Sequence, residues 1–439
     1  MSQTWLSIVG FLVVFGIIFA IMSKRLTTVI ALAVIPLIGA ILVGKFNEIP
    51  AYMSAGISKV AVNGVMFFFA VLFFGTMMTA GAFDPVVKFI VKCCKGNPLY
   101  ICIGTYVLSI IGHLDGSATT TVLLVCGVMV PIYKKMNMRL RNLACILAMG
   151  SGLMNMSPWG GPTLRAATVM DIELNTFFKP MLVPILITLA IGLIPVIFLG
   201  LAENKRLKAA GFEYHKVEIS SGEEEMSEDE RALRRPKMTI PNLIVIVAVI
   251  ALMISGILTP GAAFLLGTVL AWMLNYRSLA DQQKIMRLHG PNMVFVVSAL
   301  YGAGVLMGVL TNSGMAAAMA NTLVSLIPAS LTKFVPVFVG ALATPLSLVF
   351  DADTFYYGIL PVLTQSAAAL GISGSGICYA ALVGQLTLGW AITPLTPATL
   401  LMCGMCDLNL GDHQKFTLKF VWPLSIVLLI IMMIFGLIF

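Results

Sequence analysis

Asn155-Met156-Ser157-Pro158-Trp159-Gly160-Gly161-Pro162-Thr163-Leu164-Arg165 is the stretch that decides the architecture. It sits inside an apolar run, 140–170, long enough to cross a bilayer. Pro158 and Pro162, with Gly160 and Gly161 between them, break a helix. A break exposes carbonyls from the first half-helix and amide hydrogens from the second. A second half-helix starting near Thr163 aims its positive dipole end at the break, which suits an anion. Arg165, in its first turn, is the one Arg or Lys deep in an apolar segment, and its fork matches a carboxylate. The alternative is a structural pair with Asp115 or Asp171.

This break has a partner. An offset of 236 carries Ser157 to Thr393, Pro158 to Pro394, Thr163 to Thr399, Asp115 to Asp351 and Thr4 to Ile240. Near the third apolar run the offset is 233, from Gly75 to Gly308 and from Gly81 to Gly314. Outward from these points, ten spans are expected: 4–22, 26–44, 62–82, 140–170 and 178–201, then 240–258, 260–275, 292–320, 375–404 and 416–439. Between the third and fourth of each set lie 98–134 and 333–370, each two short apolar arms around a polar tip, read as re-entrant hairpins. The expected organisation is a first repeat at 1–202, a charged linker at 203–239 and a second repeat at 240–439. Five crossings per half is odd, so the second repeat is inverted. Inverted repeats with broken helices in matching places are the signature of a secondary transporter.

Composition supports an all-α polytopic membrane protein. Of 439 residues, 59% are hydrophobic and 10% charged, with a mean hydropathy of +0.99. Soluble domains carry about 25% charged residues. Transmembrane strands would alternate polar and apolar positions, which is not seen. No positive n-region precedes the first span and no small-residue cleavage site follows it, so it reads as a mature helix. Eight cysteines show no disulfide framework; Cys403-x-x-Cys406 is a lone pair at a helix end. Sorting Lys and Arg by side puts 22 with the linker, four opposite (Lys45, Lys59, Lys179, Lys333) and Arg165 inside. The linker side is then cytoplasmic and both termini face outward. The net charge of +8 follows from this bias rather than from nucleic-acid binding.

Four clusters carry the chemistry. The first hairpin tip, Gly112-His113-Leu114-Asp115-Gly116-Ser117-Ala118-Thr119-Thr120-Thr121, puts an acid and several hydroxyls at membrane depth, where acids are functional by default. The broken helix with Asn155, Gly160, Gly161, Thr163 and Arg165 is the second. The second tip, Asp351-Ala352-Asp353-Thr354-Phe355-Tyr356-Tyr357-Gly358, sets two acids close enough that one could hold a proton. The fourth, Thr393-Pro394-Leu395-Thr396-Pro397-Ala398-Thr399, repeats the break without its Arg. One Arg against three Asp suits an anion that travels with protons, sodium or a divalent metal.

These clusters resemble the bacterial citrate–divalent-metal/proton symporter family of the ion transporter superfamily. The resemblance rests on Gly112-His113-Leu114-Asp115-Gly116, on Asn155 through Ala167, on Phe355-Tyr356-Tyr357-Gly358-Ile359-Leu360-Pro361 and on Leu410-Gly411-Asp412-His413-Gln414-Lys415-Phe416. It implies an elevator-type carrier, a homodimer in the bacterial inner membrane, with no permanent cofactor. It implies uptake of citrate as a Mg²⁺ or Ca²⁺ complex with H⁺ as coupling ion. It assigns substrate contacts to Ser117, Thr119, Asn155, Thr163, Arg165, Thr393, Thr396 and Thr399, to which the break adds Gly160 and Gly161. Asp115, Asp351, Asp353 and His113 are then the candidates for proton or cation coupling. The alternative is a sodium- or proton-coupled carrier for another mono-, di- or tricarboxylate. Gly371-Ile372-Ser373-Gly374 matches a protease nucleophile pattern, but no His falls in a later span, so catalysis is not expected. Charge rings of a channel pore are absent.

Overall fold

The computed structural model describes all residues except 1, 24, 95, 212–227, 256 and 327–331. Among the described residues there are helices and turns and no strand. The first half runs α1 (Gln3–Met22), α2 (Thr28–Leu42), α3 (Ile49–Thr79), α4 (Asp84–Cys94), α5 (Pro98–Gly112), α6 (Ala118–Lys135), α7 (Leu140–Met154), α8 (Gly161–Met170), α9 (Leu174–Phe178) and α10 (Leu182–Ala209). After α11 (Glu228–Leu233) come α12 (Thr239–Ile254), α13 (Pro260–Asn275), α14 (Leu279–Asn312), α15 (Met315–Leu326) and α16 (Val335–Leu346). A π-helical stretch, Thr354–Ile359, leads into α17 (Leu360–Ala369), followed by α18 (Gly374–Leu382), α19 (Pro397–Met405) and α20 (Leu410–Ile434).

Leaving out α9 and α11, the order of elements in the first half recurs in the second. Left-handed residues that close helices recur at offsets of 233 to 236. Gly81 (φ +79°) matches Gly314 (φ +80°), Asn137 (φ 51°) matches Gly371 (φ +74°), and Asp171 (φ 54°) matches Asp407 (φ 51°). Such residues end helices because the left-handed turn returns an amide to the last carbonyls. The first and third pairs are identities in the sequence, the third at the offset of 236, and in the second Asn takes the place of Gly, which that conformation tolerates.

Six helices among the described residues are long and apolar enough to cross a membrane, or seven if the pair Val297–Asn312 and Met315–Thr322, bent by 73°, is one span. α2 and α13 have 15 and 16 residues. At 1.5 Å per residue that is roughly 22–24 Å. The runs 140–170 and 375–404 are each two shorter helices around a break. The third spans also differ from expectation: α3 starts at Ile49 rather than 62, and α14 at Leu279 rather than 292.

Two groups of helices are visible. α3 packs against α13 and α14, and α14 against α2; α12 rests on α13. In the other group, α5 packs on α7 and α10, α6 on α19, α16 on α18 and α20, and α8 on α18. α3 also touches α8, so α8 borders the seam. Within the first group the backbones of α3 and α14 meet closely. A Cβ on Gly56 would overlap the Gly304 carbonyl, and one on Gly308 would overlap the Tyr52 carbonyl. Small residues permit this approach where lipid supplies no hydrophobic drive.

The linker needs correction at both ends. α10 continues to Ala209, and Glu203 is buried on it, accepting from Asn142 Nδ2 at 3.0 Å and Arg206 Nη2 at 2.8 Å. At the far end Arg234 pairs with Asp84 at 2.5 Å and Arg235 with Asp281 at 3.2 Å. Arg234, and the Arg235 amide donating to the Ala80 carbonyl at 3.0 Å, tie the second half to the α3–α4 corner. Glu223-Glu224-Glu225 lies outside the described residues.

Candidate functional site

At the first tip, α5 ends at Gly112 and α6 starts after the cap Ser117, whose Oγ accepts from Thr120 N at 3.3 Å. Asp115 Oδ1 accepts from Ser117 N at 2.8 Å, and Gly116 turns the chain at φ +69°. His113 is fully buried, with Nδ1 2.7 Å from Thr121 Oγ1. The Thr121 hydroxyl has carbonyl acceptors at Gly112 (3.1 Å) and Ser117 (2.8 Å). A hydroxyl has one proton, so the ring nitrogen is assigned as the donor to Thr121. Nε2 is then an acceptor, and it has no hydrogen-bond partner.

The first break spans residues 155–160. α8 begins at Gly161, with Pro162 in its first turn, so Arg165 projects from the following turn. A Cβ on Gly161 would lie 2.7 Å from Arg165 Nη1. Arg165 is buried, and its Nε and Nη2 both donate to Asp353 Oδ1, at 2.9 and 2.7 Å. Its partner is therefore Asp353, not Asp115 or Asp171. Asp171 instead pairs with Lys59 at 3.1 Å. Asp353 takes two of the three guanidinium nitrogens, and the guanidinium lies over the Tyr357 ring at 5.7 Å. Asp353 therefore has a counter-charge of its own, beside the Asp351 carboxyl. Asp351 Oδ1 accepts from Thr354 N at 2.7 Å, so Asp115 and Asp351 perform the same backbone-capping task in the two tips.

The second break is much longer than expected. Non-helical backbone runs through 383–396, ahead of Pro397 at the start of α19. Leu386 has φ 49°, an outlier for a bulky residue. It is held from both sides: its carbonyl accepts from Asn155 Nδ2 at 2.7 Å and its amide donates to Ser347 Oγ at 2.9 Å. Such strain persists only where neighbours over-determine it. Asn155→Leu is expected to leave that carbonyl unpaired and cost about 1–3 kcal/mol. A lowered unfolding temperature of the solubilised protein is the readout. Gln385 Nε2 reaches the Phe350 carbonyl at 3.2 Å, and Tyr356 donates to the Gln385 carbonyl at 2.8 Å. Thr396 and Thr399 hydroxyls both have the Trp390 carbonyl as acceptor, at 3.2 and 2.7 Å, and Thr393 Oγ1 accepts from Leu395 N at 3.2 Å.

All four clusters meet. Trp159 Nε1 donates to the Leu114 carbonyl at 2.6 Å, joining the first break to the first tip. Arg165 joins it to the second tip and Asn155 to the second break. His113 stacks on Trp390 with centroids 6.1 Å apart. Trp159 also wedges against Phe74 and Phe264 of the other helix group, at 5.0 and 5.5 Å. Among the described residues, the buried side-chain atoms without a hydrogen-bond partner are His113 Nε2, Ser157 Oγ, Thr163 Oγ1, Thr354 Oγ1 and Trp390 Nε1. Every one belongs to these tips and breaks. Buried polar atoms are normally paired, so this concentration marks a place able to receive a polar ligand.

Thr119 does not join the cluster; it is exposed on α6, while Thr121 faces His113. Sequence reasoning missed Ser347, Gln385 and Trp390. A readable signal existed: Gly384 and Gly389 bracket Gln385 and Thr387 within an apolar run. A Cβ on either glycine would overlap Thr344 or Ser347 of the α16 arm.

An apolar all-helical chain folded around paired helix breaks has the architecture of a membrane transporter. The fold is shared with MtrF of Neisseria gonorrhoeae (TM-score 0.58, 12% identity, covering 88% of this chain and 84% of that one). It is shared also with the YdaH transporter of Alcanivorax borkumensis (TM-score 0.56, 13% identity, 89% and 88%). Residues 17–384 match the citrate transporter family, CitMHS. A citrate transporter of Bacillus subtilis (strain 168) is 37% identical over 435 residues, 99% of each chain. A Mg²⁺/citrate complex secondary transporter of the same strain is 34% identical over 433 residues, 98% of each. The chain belongs to the citrate transporter family.

Proposed function

We propose that this chain takes up citrate as a Mg²⁺ or Ca²⁺ complex, coupled to protons, across the inner membrane of a bacterium. The observation that carries the reading is the set of orphaned polar atoms, drawn from both tips and both breaks, around a buried Arg–Asp pair. A citrate trianion bound to a divalent metal keeps one negative charge. That suits a locus with one Arg and three Asp better than the naked trianion does. Ser157 and Thr163 hydroxyls and the α8 N-terminus offer donors to carboxylate oxygens. Arg165 Nη1, which Asp353 does not engage, offers another. His113 Nε2, Asp115, Asp351 and Asp353 are the groups able to hold a coupling proton. The matched elements act as inverted repeats, and the α5–α8 and α16–α19 group moves against the α3–α14 group as an elevator in a homodimer. Both termini face outward, by the distribution of Lys and Arg.

The test is uptake of labelled citrate into proteoliposomes, with and without Mg²⁺ or Ca²⁺, under an inward proton gradient. Uptake that needs both metal and gradient is expected. Uptake without metal overturns the complex. No citrate uptake under any metal moves the search to other carboxylates and to sodium.

A further inference from the structure

A cavity of about 230 Å³ lies away from the orphaned atoms, on the seam between the two helix groups. Lys59 of α3 and Thr311 of α14 line one wall; Asp171, Thr364 and Gln365 line the other. Asp171 is the left-handed residue that closes α8, the helix whose first turns carry Arg165. Asp171 follows Arg165 by six positions, so its Cα lies about 9 Å along that helix from the Arg165 Cα. Lys59 and Asp171 are paired at 3.1 Å, yet their side chains are 44% and 51% exposed. An ion pair so exposed is worth little and exchanges partners readily. One turn further along, Asn63 Nδ2 donates to Thr168 Oγ1 at 3.0 Å, so α3 and α8 are joined twice across the seam.

We propose that this cavity is an anion-recruiting subsite, in which a carboxylate of the arriving substrate displaces Asp171 from Lys59. The inference rests on the carboxylate-carrier reading and adds a second, outer contact to it. Lys59 supplies the cation and Thr311, Thr364 and Gln365 supply hydrogen bonds. Asp171 serves as an internal stand-in carboxylate that keeps Lys59 paired in the empty protein. Exchange also releases one of the two ties between α8 and α3. Binding of a carboxylate is thereby linked to loosening of the seam along which α8 borders its neighbour.

The charges make opposite predictions for the two partners. Lys59→Gln is expected to raise KM for citrate uptake at least fivefold, acting on KM more than on the maximal rate, whereas Lys59→Arg stays close to the parent. Asp171→Asn removes the internal competitor and is expected to lower KM. If the pair were only a structural tie, both changes would move KM the same way, and that outcome overturns the subsite. A second readout does not need transport. In a Cys93→Ser background, Thr311→Cys is labelled with a membrane-impermeant maleimide. Citrate is expected to slow labelling at least threefold against chloride at matched ionic strength, and Lys59→Gln is expected to abolish the protection. Absence of protection overturns the subsite. A parent protein that fails to transport citrate under any condition counts against the proposed function, while protection at Thr311→Cys still decides the subsite.

Discussion

Arg165→Ala is expected to abolish metal-dependent citrate uptake and to lower the unfolding temperature of the solubilised protein. Arg165 and Asp353 form a buried pair with both partners 7% exposed. Removing one member leaves the other charge buried without compensation, which costs about 3–5 kcal/mol. Loss of transport alone would therefore not separate a binding role from a folding role. The combination Arg165→Met with Asp353→Leu makes the separation, because replacing a whole buried pair by apolar side chains is often neutral or stabilising. The double variant is expected to recover the unfolding temperature without recovering uptake, since the guanidinium fork is gone. Uptake by the double variant would show that the pair is structural and that the substrate is held elsewhere.

Gly56→Val and Gly308→Val are expected to give little or no folded protein in detergent, read by size-exclusion chromatography. Each new Cβ meets backbone rather than a movable side chain: the Gly304 carbonyl in one case and the Tyr52 carbonyl in the other. Overpacking in a core typically costs about 1–3 kcal/mol. Backbone overlap between two long helices cannot be relieved by a rotamer change, so the effect falls at or beyond the upper end. Gly127 on α6 is the matched control. A Cβ there meets nothing within 4 Å, and Gly127→Ala is expected to leave both folding and uptake unchanged. A well-folded Gly308→Val protein would show that α3 and α14 do not approach as closely as described.

The ten-span reading shows where hydropathy stops being informative. It finds apolar runs, because insertion into a bilayer depends on composition over a window of about 20 residues, but among the described residues only six or seven helices are long enough to cross, and one of them, Ala118–Lys135, is an arm of the first hairpin. It is blind to where a helix breaks when no Pro or Gly pair marks the place. The first break was legible from Pro158, Gly160, Gly161 and Pro162. The second was read only from Thr393 onward: Gly384 and Gly389 bracket its start, but no proline marks it. What unwinds it is tertiary: Asn155, Ser347 and Tyr356 supply the partners that a helix would otherwise supply to itself.

The class of molecule, the polar tips, the first helix break and Arg165 as a cation in an apolar run were all readable from the residues alone. These follow from composition, from proline and glycine chemistry, and from the expense of charge in an apolar run. Only the tertiary structure decided who faces whom. Arg165 chose Asp353 over Asp115 and Asp171, although 188 residues of chain separate the pair. Thr121 rather than Thr119 turned toward His113, because position on a helix face is set by what packs against it. The linker's arginines became anchors. Spacing along a chain records which residues exist at a break; their partners come from other helices, and that choice is made by packing.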